Sequence, residues 1–394
     1  MGFFFALSLI SRYASNTVCK VCTAFFISMR VALVHDYLTE LGGAERVLQS
    51  LCELYPHAPI YTLLYDEQAT AGAFRGRRVH TSFLQNLPFA RKHHRAYAWL
   101  MPLAVEQFDL SCYDLVLSDS ASYAKGVITK PRTTHISYCH TPIRYAWDDS
   151  HRYVREFGNS MLSRPFIPLF LNYLRLWDAE AAHRVDAFIA NSSFVKERIR
   201  KYYGVDARVI HPPVDVGFFA KVAYNPKEYF LVAGRLVAYK RFDLAIRAFN
   251  ELKLPLVVAG EGPELGKLKK LAGSTVKFTG RVNDEDLREL YSGARALVFP
   301  QEEDFGITAV EAMAIGCPVI GYRGGGALEH IVEGKTGIFF DHERPSTLAV
   351  AIKQFSRMRF DTEFIRKHAG KFSKEKFKQH MQSAVEQVLH GAVH

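Results

Sequence analysis

The chain has 394 residues, of which 48% are hydrophobic and 23% charged, so it is long enough for two globular domains, each with its own core. The formal net charge of +10 is compatible with nucleic acid, an anionic membrane or a phosphorylated substrate as partner, and does not choose among them. The longest apolar run near the N-terminus, FFFALSLI, is far shorter than the roughly 20 residues of a membrane-spanning helix, so we do not expect an integral membrane protein.

Residues 1–28 have no basic segment before their apolar run and no small-residue cleavage site, so a signal peptide fits poorly. Met29 opens MRVALVHDYL, which predicts a buried first strand followed by a loop. We therefore predict that the natural start is Met29 and that residues 1–28 are a disordered or mis-assigned extension, with a weak membrane-surface anchor as the alternative. Cys19 and Cys22 form a CxxC without a second pair, which favours free thiols in a reducing cytosol over a zinc site.

Short apolar runs alternate with amphipathic helical segments along most of the chain. RVALVH, YDLVLSD, THISYCH, AFIAN and ARVI read as strands, and AERVLQSLCELY and SFVKERIRKYYG have helical spacing. Strands that are apolar on both faces and joined by helices indicate a parallel sheet with helices on both sides. The sequence therefore predicts an α/β fold with doubly wound, Rossmann-like sheets.

The pattern restarts after HPPVD at residues 211–215, where two prolines break any regular element and YFLVAG begins a new first strand. We predict an N-terminal domain over 29–213 and a C-terminal domain over 214–371. The amphipathic segment 372–394 is expected to be a final helix that packs back on the N-terminal domain. Ligands of open parallel sheets bind beyond the carboxyl ends of the strands, so the cleft between the two facing domains is the expected site.

The first domain contributes two candidate loops to that cleft. In ELGGAERVL, Gly42 and Gly43 lie between the first strand and the first helix, where backbone can approach a ligand closely. In YCHTPIRYAWDD, His140 ends a strand, which is where a catalytic residue of this domain would lie, although a lone histidine is more often structural.

A basic and aromatic segment, RGRRVHTSFLQNLPFARKHHRAYAWLMP, lies between these two loops. Its basic residues are Arg75, Arg77, Arg78, Arg91, Lys92 and Arg95, and its apolar residues include Phe83, Leu84, Phe89, Tyr97 and Trp99. Such a mixture docks on anionic lipid, and it is equally typical of a solvated helix face over a core. A nucleic-acid binder is the rival from another class, but the sequence carries no recognition motif for DNA or RNA.

The second domain contributes cations and glycines. In GRLVAYKR, Arg235 and Lys240 follow a strand and can hold a diphosphate, with a solvated surface loop as the alternative. In LVVAGEGPELGKL the spacing is GxGxxxG and lies in the wrong half for a nicotinamide site, so Gly262 is assigned to a tight turn near a nucleotide. Arg281, after the strand VKFTG, is also assigned to the donor site.

The segment FPQEEDFGITAVEAMAIG follows another strand and carries the most informative acids. Paired carboxylates first suggest a glycoside hydrolase. However, Gly306 permits a sharp turn, and the free backbone NH groups of the helix that follows can face an anion. Glu303 and Glu311 can then bind hydroxyl groups at two ends of one ligand. The remaining residues assigned to this donor site are Asp304, Phe305, Ile307 and Thr308.

Together these motifs resemble the retaining glycosyltransferases of the GT-B fold, in the group called family 4 or group 1. The resemblance runs from Met29 onward and rests on the acid pair Glu303 and Glu311 with FG between them, on GRLVAYK, on HPPVD and on ANSSFVKE. VHDYLTELGGAERV and YCHTPIRYAWD are most similar to bacterial polysaccharide mannosyltransferases. Asp304 departs from the family, which commonly has glycine before the phenylalanine.

The resemblance implies a hexosyltransferase that binds a nucleotide sugar mainly in the second domain. Arg235 and Lys240 would hold the diphosphate, Glu311 the ribose and Glu303 the donor hexose, while His140 would meet the sugar from the first domain. Protein cations would neutralise the leaving diphosphate, so no cofactor and no metal are expected. The expected donor is GDP-mannose, with a UDP-sugar or a GT-B epimerase as alternatives.

The resemblance also implies a saccharide acceptor, expected to be lipid-linked, in the synthesis of surface polysaccharide or lipopolysaccharide. We accordingly expect a cytoplasmic protein, alone or docked on the inner face of the cell membrane, and no nucleic-acid partner.

Overall fold

The computed structural model describes residues 29–148 and 166–391. The extension predicted for residues 1–28, with Cys19 and Cys22, lies outside the described residues. The cysteines at 52, 112, 139 and 317 are all free thiols.

The first domain is built on a seven-stranded parallel sheet with the order β3-β2-β1-β4-β5-β6-β7. Its central strands are buried on both faces, as in VALVH of β1, because helices cover both sides of the sheet. The strands are β1 Val31–His35, β2 Ile60–Thr62, β3 Val79–Thr81, β4 Leu115–Ser120, β5 Thr134–Cys139, β6 Ala187–Ala190 and β7 Ala207–Val209.

Five α-helices of the first domain lie among the described residues. They are α1 Gly43–Leu54, α2 Ala90–His93, α3 Met101–Glu106, α4 Phe166–Ala182 and α5 Ser193–Tyr203, with 3₁₀ turns at Phe83–Asn86, His94–Leu100 and Ala124–Gly126. Local signals determine the ends of α5. The Ser192 hydroxyl accepts a hydrogen bond from the Val195 amide at 3.0 Å, and Gly204 ends the helix with φ of +71°.

The second domain repeats this plan with a six-stranded parallel sheet of order β10-β9-β8-β11-β12-β13. Its strands are β8 Phe230–Ala233, β9 Leu256–Ala259, β10 Val276–Gly280, β11 Leu297–Phe299, β12 Val319–Tyr322 and β13 Gly337–Phe340. Its helices are α6 Val216–Phe219, α7 Phe242–Leu252, α8 Leu265–Leu271, α9 Asp284–Gly293, α10 Ile307–Ile315, α11 Ala327–His330, α12 Pro345–Phe355 and α13 Thr362–Ala369, with 3₁₀ turns at Ala238–Lys240 and Gly370–Phe372.

In both sheets the order in which strands are added reverses beside the first strand, between β1 and β4 in one and between β8 and β11 in the other. A doubly wound sheet opens a crevice at this switch point, beyond the carboxyl ends of its strands. The prediction of two doubly wound parallel sheets is therefore confirmed, and the crevices lie where the candidate motifs were expected.

The final helix, α14 Lys374–Gly391, returns to the first domain. Phe377, Met381 and Val385 are buried in the core that covers one face of the first sheet. An ion pair of 2.8 Å between Lys378 and Glu53 adds a surface contact to this packing. In the part of the chain that the structure describes, no helix is both long enough and apolar enough to cross a membrane.

Candidate functional site

The carboxyl ends of β1, β4 and β5 bring two histidines to one carboxylate. Asp119, fully buried at the end of β4, lies 2.9 Å from Nδ1 of His35 and 2.6 Å from Nε2 of His140. His140 itself remains 13% exposed and is the most exposed member of this cluster. Sequence analysis singled out His140 and missed Asp119, because the register of parallel strands is what places residue 119 beside residue 140.

The electrostatics of this cluster keep His35 and Asp119 charged. Burial opposes ionisation of His35, but hydrogen bonds to Asp119 and Glu45 outweigh it and raise the pKa of His35 to about 10. Burial alone would raise the pKa of Asp119, yet the charges and hydrogen bonds of His140 and His35 lower it. The carboxylate therefore orients both imidazole rings.

The glycine loop of the first domain contacts the second domain. The amide of Gly42 donates to Oε2 of Glu45 at 2.8 Å, which holds the first turn of α1. A Cβ at Gly43 would lie 3.0 Å from Cδ1 of Ile307, at the start of α10. These three predicted site residues are therefore brought together, and a Cβ at residue 43 would require the end of the Ile307 side chain to shift by a few tenths of an ångström.

Lys240 and Glu303 form an ion pair of 2.8 Å in the second domain, with side chains only 11% and 15% exposed. Burial disfavours the charged form of both side chains, but the opposite charge of the partner outweighs this effect. The pKa of Lys240 is therefore raised and the pKa of Glu303 is lowered. Gln301, which is almost fully buried, adds a hydrogen bond that favours the Glu303 carboxylate. Sequence analysis did not identify Gln301 as a site residue.

Arg235 reaches across the cleft. Its Nη1 lies 2.9 Å from Oε1 of Glu40, which precedes the glycine loop of the first domain, and both side chains are about half exposed. A half-exposed pair contributes little to stability, so the guanidinium is available to exchange this carboxylate for another anion.

Glu311 lies one turn into α10 and is buried beneath the cleft. Its Oε2 accepts a hydrogen bond from the Tyr291 hydroxyl at 3.1 Å. Burial raises the pKa of Glu311, and the nearby positive charge of Arg46 offsets this only in part. Arg46 belongs to the first domain, and its Nη2 lies 2.7 and 2.8 Å from the two carboxylate oxygens of Asp284. Tyr291, Arg46 and Asp284 were not identified from the sequence.

The turn before α10 is held by its own packing. Gly306 has φ of +94°, and a Cβ there would lie 2.5 Å from the Phe299 ring. The carbonyl of the buried Phe305 accepts a hydrogen bond from Nε2 of His330 at 2.9 Å, and burial lowers the pKa of His330 to about 4. Oγ1 of Thr308 is buried and has no hydrogen-bond partner in the described residues, so a hydroxyl is left over at the helix start.

Two glycines of the second domain, Gly262 and Gly326, pack against loops that carry site residues. Gly262 has φ of +159°, and a Cβ there would lie 2.4 Å from the Leu236 carbonyl, inside the loop that joins Arg235 to Lys240. A Cβ at Gly326 would lie 2.3 Å from Cα of Phe305. The glycines thus allow loops that carry site residues to touch. Arg281 is exposed after the edge strand β10, two strands away from β8, and the structure does not bring it against Lys240.

Asp304 faces the first domain. Its Oδ1 lies 2.7 Å from Nη1 of Arg198 and 3.5 Å from Nη2 of Arg144. These two arginines were not identified as site residues from the sequence. Beside them the cleft opens into a cavity of about 460 Å³ whose lining includes Tyr202 and Tyr239 from opposite domains.

The arrangement has a definite chemical capacity. Arg235 and Lys240 lie in one loop after β8, and Lys240 contacts Glu303 in the loop that leads to the N-terminus of α10; such cations and helix NH groups can hold a diphosphate. Glu303 and Glu311 lie in the same loop-helix unit and can accept hydrogen bonds from sugar and ribose hydroxyls. Within residues 29–148 and 166–391, no group of three or more His, Cys, Asp or Glu side chains has the arrangement of a metal site.

Family comparison divides the chain at the same place as the fold. Residues 41–218 match the family described as Glycosyltransferase Family 4, and residues 216–378 match the family described as Glycosyl transferases group 1. Among curated proteins, the chain is 27% identical to D-rhamnosyltransferase WbpZ of Pseudomonas aeruginosa, over 80% of this chain and 84% of that protein. It is 28% identical to a GDP-mannose-dependent alpha-(1-6)-phosphatidylinositol dimannoside mannosyltransferase of Mycobacterium tuberculosis, over 52% of this chain and 57% of that one.

Solved structures agree on the fold. Anabaena Alr3699/HepE in complex with UDP and glucose aligns over 91% of this chain and 99% of that one, with a TM-score of 0.66 and 18% identity. Sucrose-phosphate synthase from Thermosynechococcus elongatus aligns over 92% of this chain and 100% of that one, with a TM-score of 0.67 and 16% identity. At these identities the likeness concerns architecture, which is the two-domain GT-B fold.

Proposed function

The chain belongs to the group 1, family 4 glycosyltransferases and has the GT-B fold, and from that premise we propose that it transfers a hexose with retention of anomeric configuration and without a metal. The donor is a nucleotide sugar, and we propose GDP-mannose as that donor and a lipid-linked saccharide as the acceptor. The relative from Mycobacterium tuberculosis, named as GDP-mannose-dependent, supports this choice. A UDP-sugar is the alternative donor, since the HepE structure contains UDP and glucose.

The observation that carries this proposal is the buried pair of Lys240 and Glu303, flanked by Arg235 and Glu311. Lys240 would bind the diphosphate oxygens, and Arg235 would release Glu40 to do the same. Glu303 would accept hydrogen bonds from hexose hydroxyls, and Glu311 from the ribose. Negative charge develops on the diphosphate as it departs, so cations already in place stabilise the transition state more than the ground state.

The proposed reaction proceeds on one face of the sugar. The bond between C1 and the diphosphate oxygen breaks, and its electron pair stays with the diphosphate. The acceptor oxygen forms the new bond to C1 from the same side, and its proton passes to the departing phosphate oxygen. His140, oriented by Asp119, faces the hexose from the first domain. Closure of the cleft would exclude water, whose attack on C1 is the competing reaction.

The acceptor is proposed to enter the cavity lined by Tyr202 and Tyr239. Aromatic ring faces pack well against the C–H faces of sugars, and the carboxylate of Glu302, which also lines the cavity, can accept hydrogen bonds from hydroxyls. The two aromatic rings and the carboxylate in the cavity lining support a saccharide acceptor.

Donor identity can be tested by thermal unfolding with GDP-mannose, UDP-glucose and ADP-glucose. We expect GDP-mannose at 100 times its Kd to stabilise the protein by about 2.7 kcal/mol, because a ligand that binds only the folded state adds RT ln(1 + [L]/Kd). Lys240→Ala is the control, since loss of the phosphate cation should abolish most of the shift. If only UDP-glucose raised the unfolding temperature, the donor would be a UDP-sugar and not GDP-mannose. A wild-type protein that converts donor alone into an epimer would instead indicate an epimerase.

The membrane proposal rests on one exposed surface of the first domain, formed by Phe89, Arg91, Lys92, Arg95 and Trp99 and here called the docking surface. Phe89 and Trp99 are 77% and 60% exposed, which is unusual for large apolar side chains. The nearby Leu84 is buried, so only part of the basic and aromatic segment is available to a partner. Exposed aromatic rings beside cations suit the interface of an anionic membrane.

We expect the protein to float with vesicles that contain phosphatidylglycerol and not with neutral vesicles. Arg91→Glu with Lys92→Glu should weaken binding at least fivefold per residue changed, because each basic residue near an anionic surface contributes about 1 kcal/mol. Arg359→Glu, an exposed charge reversal in the second domain, is the matched control and should leave flotation unchanged. Absence of wild-type flotation at low salt would remove the membrane from the proposal.

A further inference from the structure

One guanidinium joins the two loops that carry His140 and Glu303. Arg198, in α5 of the first domain, lies 2.7 Å from the carboxylate of Asp304 in the second domain. The same side chain donates a hydrogen bond to the hydroxyl of Thr141, the residue after His140. Asp304 is in turn the residue after Glu303. Arg198 therefore contacts the residue that follows each of the two side chains proposed to meet the donor hexose, His140 and Glu303.

This connection is protected from water. The side chain of Arg198 is 7% exposed and that of Asp304 is 21% exposed. The other arginine–carboxylate pairs between the domains of the described chain are more open, with exposures of 25% and 44% for Arg46 and Asp284. Buried charge pairs are screened little by solvent and salt, so their geometry is held more firmly than that of surface pairs.

Further contacts hold the pair in place. Asp148 also forms an ion pair with Arg198, on the first-domain side. Arg144 lies 3.5 Å from Asp304, and its guanidinium stacks over the Tyr239 ring of the second domain at 5.4 Å. The Asp304 carboxylate is thus paired with two arginines of the opposite domain. This pairing accounts for an acidic residue at position 304 without any contact to the donor.

We propose that Arg198 and Asp304 are positioning residues that hold the Glu303 loop in register with the His140 loop and so keep water away from C1 of the donor. This inference rests on the proposed transfer reaction. When the loops separate, a water oxygen can bond to C1 in place of the acceptor oxygen. The C1–phosphate bond breaks as before, its electron pair leaves with the diphosphate, and a water proton passes to the phosphate oxygen. The products are free hexose and nucleoside diphosphate.

The test compares Asp304→Asn, Arg198→Gln and the double variant with wild type, measuring both hexose transfer and donor hydrolysis. We expect each single variant to lower kcat for transfer by about tenfold, to raise the ratio of hydrolysis to transfer by about tenfold, and to leave KM for the donor within about twofold. The double variant should be no worse than either single one, because the pair acts as a unit. Asp114→Asn, which breaks a half-exposed ion pair with Arg30 at the amino end of β4, should leave the ratio unchanged.

Two outcomes would overturn the inference. An unchanged hydrolysis ratio in Asp304→Asn would show that the pair does not exclude water. A raised donor KM with an unchanged kcat would return Asp304 to the donor-binding set assigned from the sequence. Amide hydrogen exchange gives a readout that does not need turnover: Asp304→Asn should speed exchange in both 140–147 and 301–308, and Asp114→Asn should not. If wild type transfers no hexose while exchange responds as expected, the proposed function fails and the loop connection stands.

Discussion

Replacing Lys240 with alanine is expected to lower the rate of hexose transfer by about 10²–10³-fold, the usual cost of losing one preorganised group that stabilises developing charge. The ammonium is buried against Glu303 at 2.8 Å. Arg235, the other cation of this loop, is about half exposed and cannot replace the buried charge. Glu303→Ala should be similarly slow, because the hexose would lose its carboxylate. The measurement is single-turnover transfer at saturating donor.

Stability separates a chemical role from a structural one in this pair. Removing one partner of a buried ion pair costs about 3–5 kcal/mol, whereas replacing both by uncharged side chains of similar volume is close to neutral. Lys240→Ala should also raise the pKa of Glu303, because the opposing charge is lost and burial remains. Lys240→Met with Glu303→Gln should therefore unfold near the wild-type temperature and still transfer no hexose. Near-wild-type transfer in both Lys240→Ala and Glu303→Ala would refute the site.

Asp119→Asn is expected to have the second largest effect, on stability and on transfer together. The carboxylate is fully buried and bonded to His35 and His140, so its removal should cost about 3–5 kcal/mol in the free energy of unfolding. Transfer should fall by about 10²-fold, because the His140 ring loses the acceptor that orients it toward the hexose. Chemical denaturation and single-turnover kinetics measure the two effects.

The shifted pKa values of His35 and Asp119 determine how the free energy of unfolding changes with pH. The folded pKa of His35 is raised to about 10 from an ordinary 6.5, so its contribution is complete below pH 6.5 and is lost as the pH rises toward 10. The folded pKa of Asp119 is lowered, so its contribution is present above the ordinary aspartate pKa of 3.8 and is lost in acid below it. In Asp119→Asn, the loss of stability between pH 6.5 and 10 should become shallower.

A matched control uses a carboxylate in a similar ion pair at the surface. Asp114 pairs with Arg30 at 3.0 Å, but both side chains are about half exposed, so Asp114→Asn should cost no more than about 1 kcal/mol. If Asp119→Asn were as mild as this control and kept full transfer, the buried cluster would be neither a structural nor an orienting feature of the site.

The two sheets could be predicted from the sequence because their signals are local. Apolar runs of strand length alternate with helical spacing, and the prolines of HPPVD mark the restart. Each motif also follows a predicted strand, which assigns His140 to the carboxyl edge of the first sheet and Lys240 and Glu303 to the carboxyl edge of the second. The prediction that Lys240 and Glu303 serve one donor remains to be tested, but the structure does place them 2.8 Å apart.

The sequence by itself determined the fold and the strand ends where the chemistry lies, because hydrophobic periodicity and turn residues act over a few neighbouring positions. Only the tertiary structure decided which side chains meet across those ends. Asp119 joins His140 through strand register, and Asp304 faces Arg198, 106 residues away in the chain, through domain packing. Such contacts depend on geometry between distant segments, and no local pattern records that geometry.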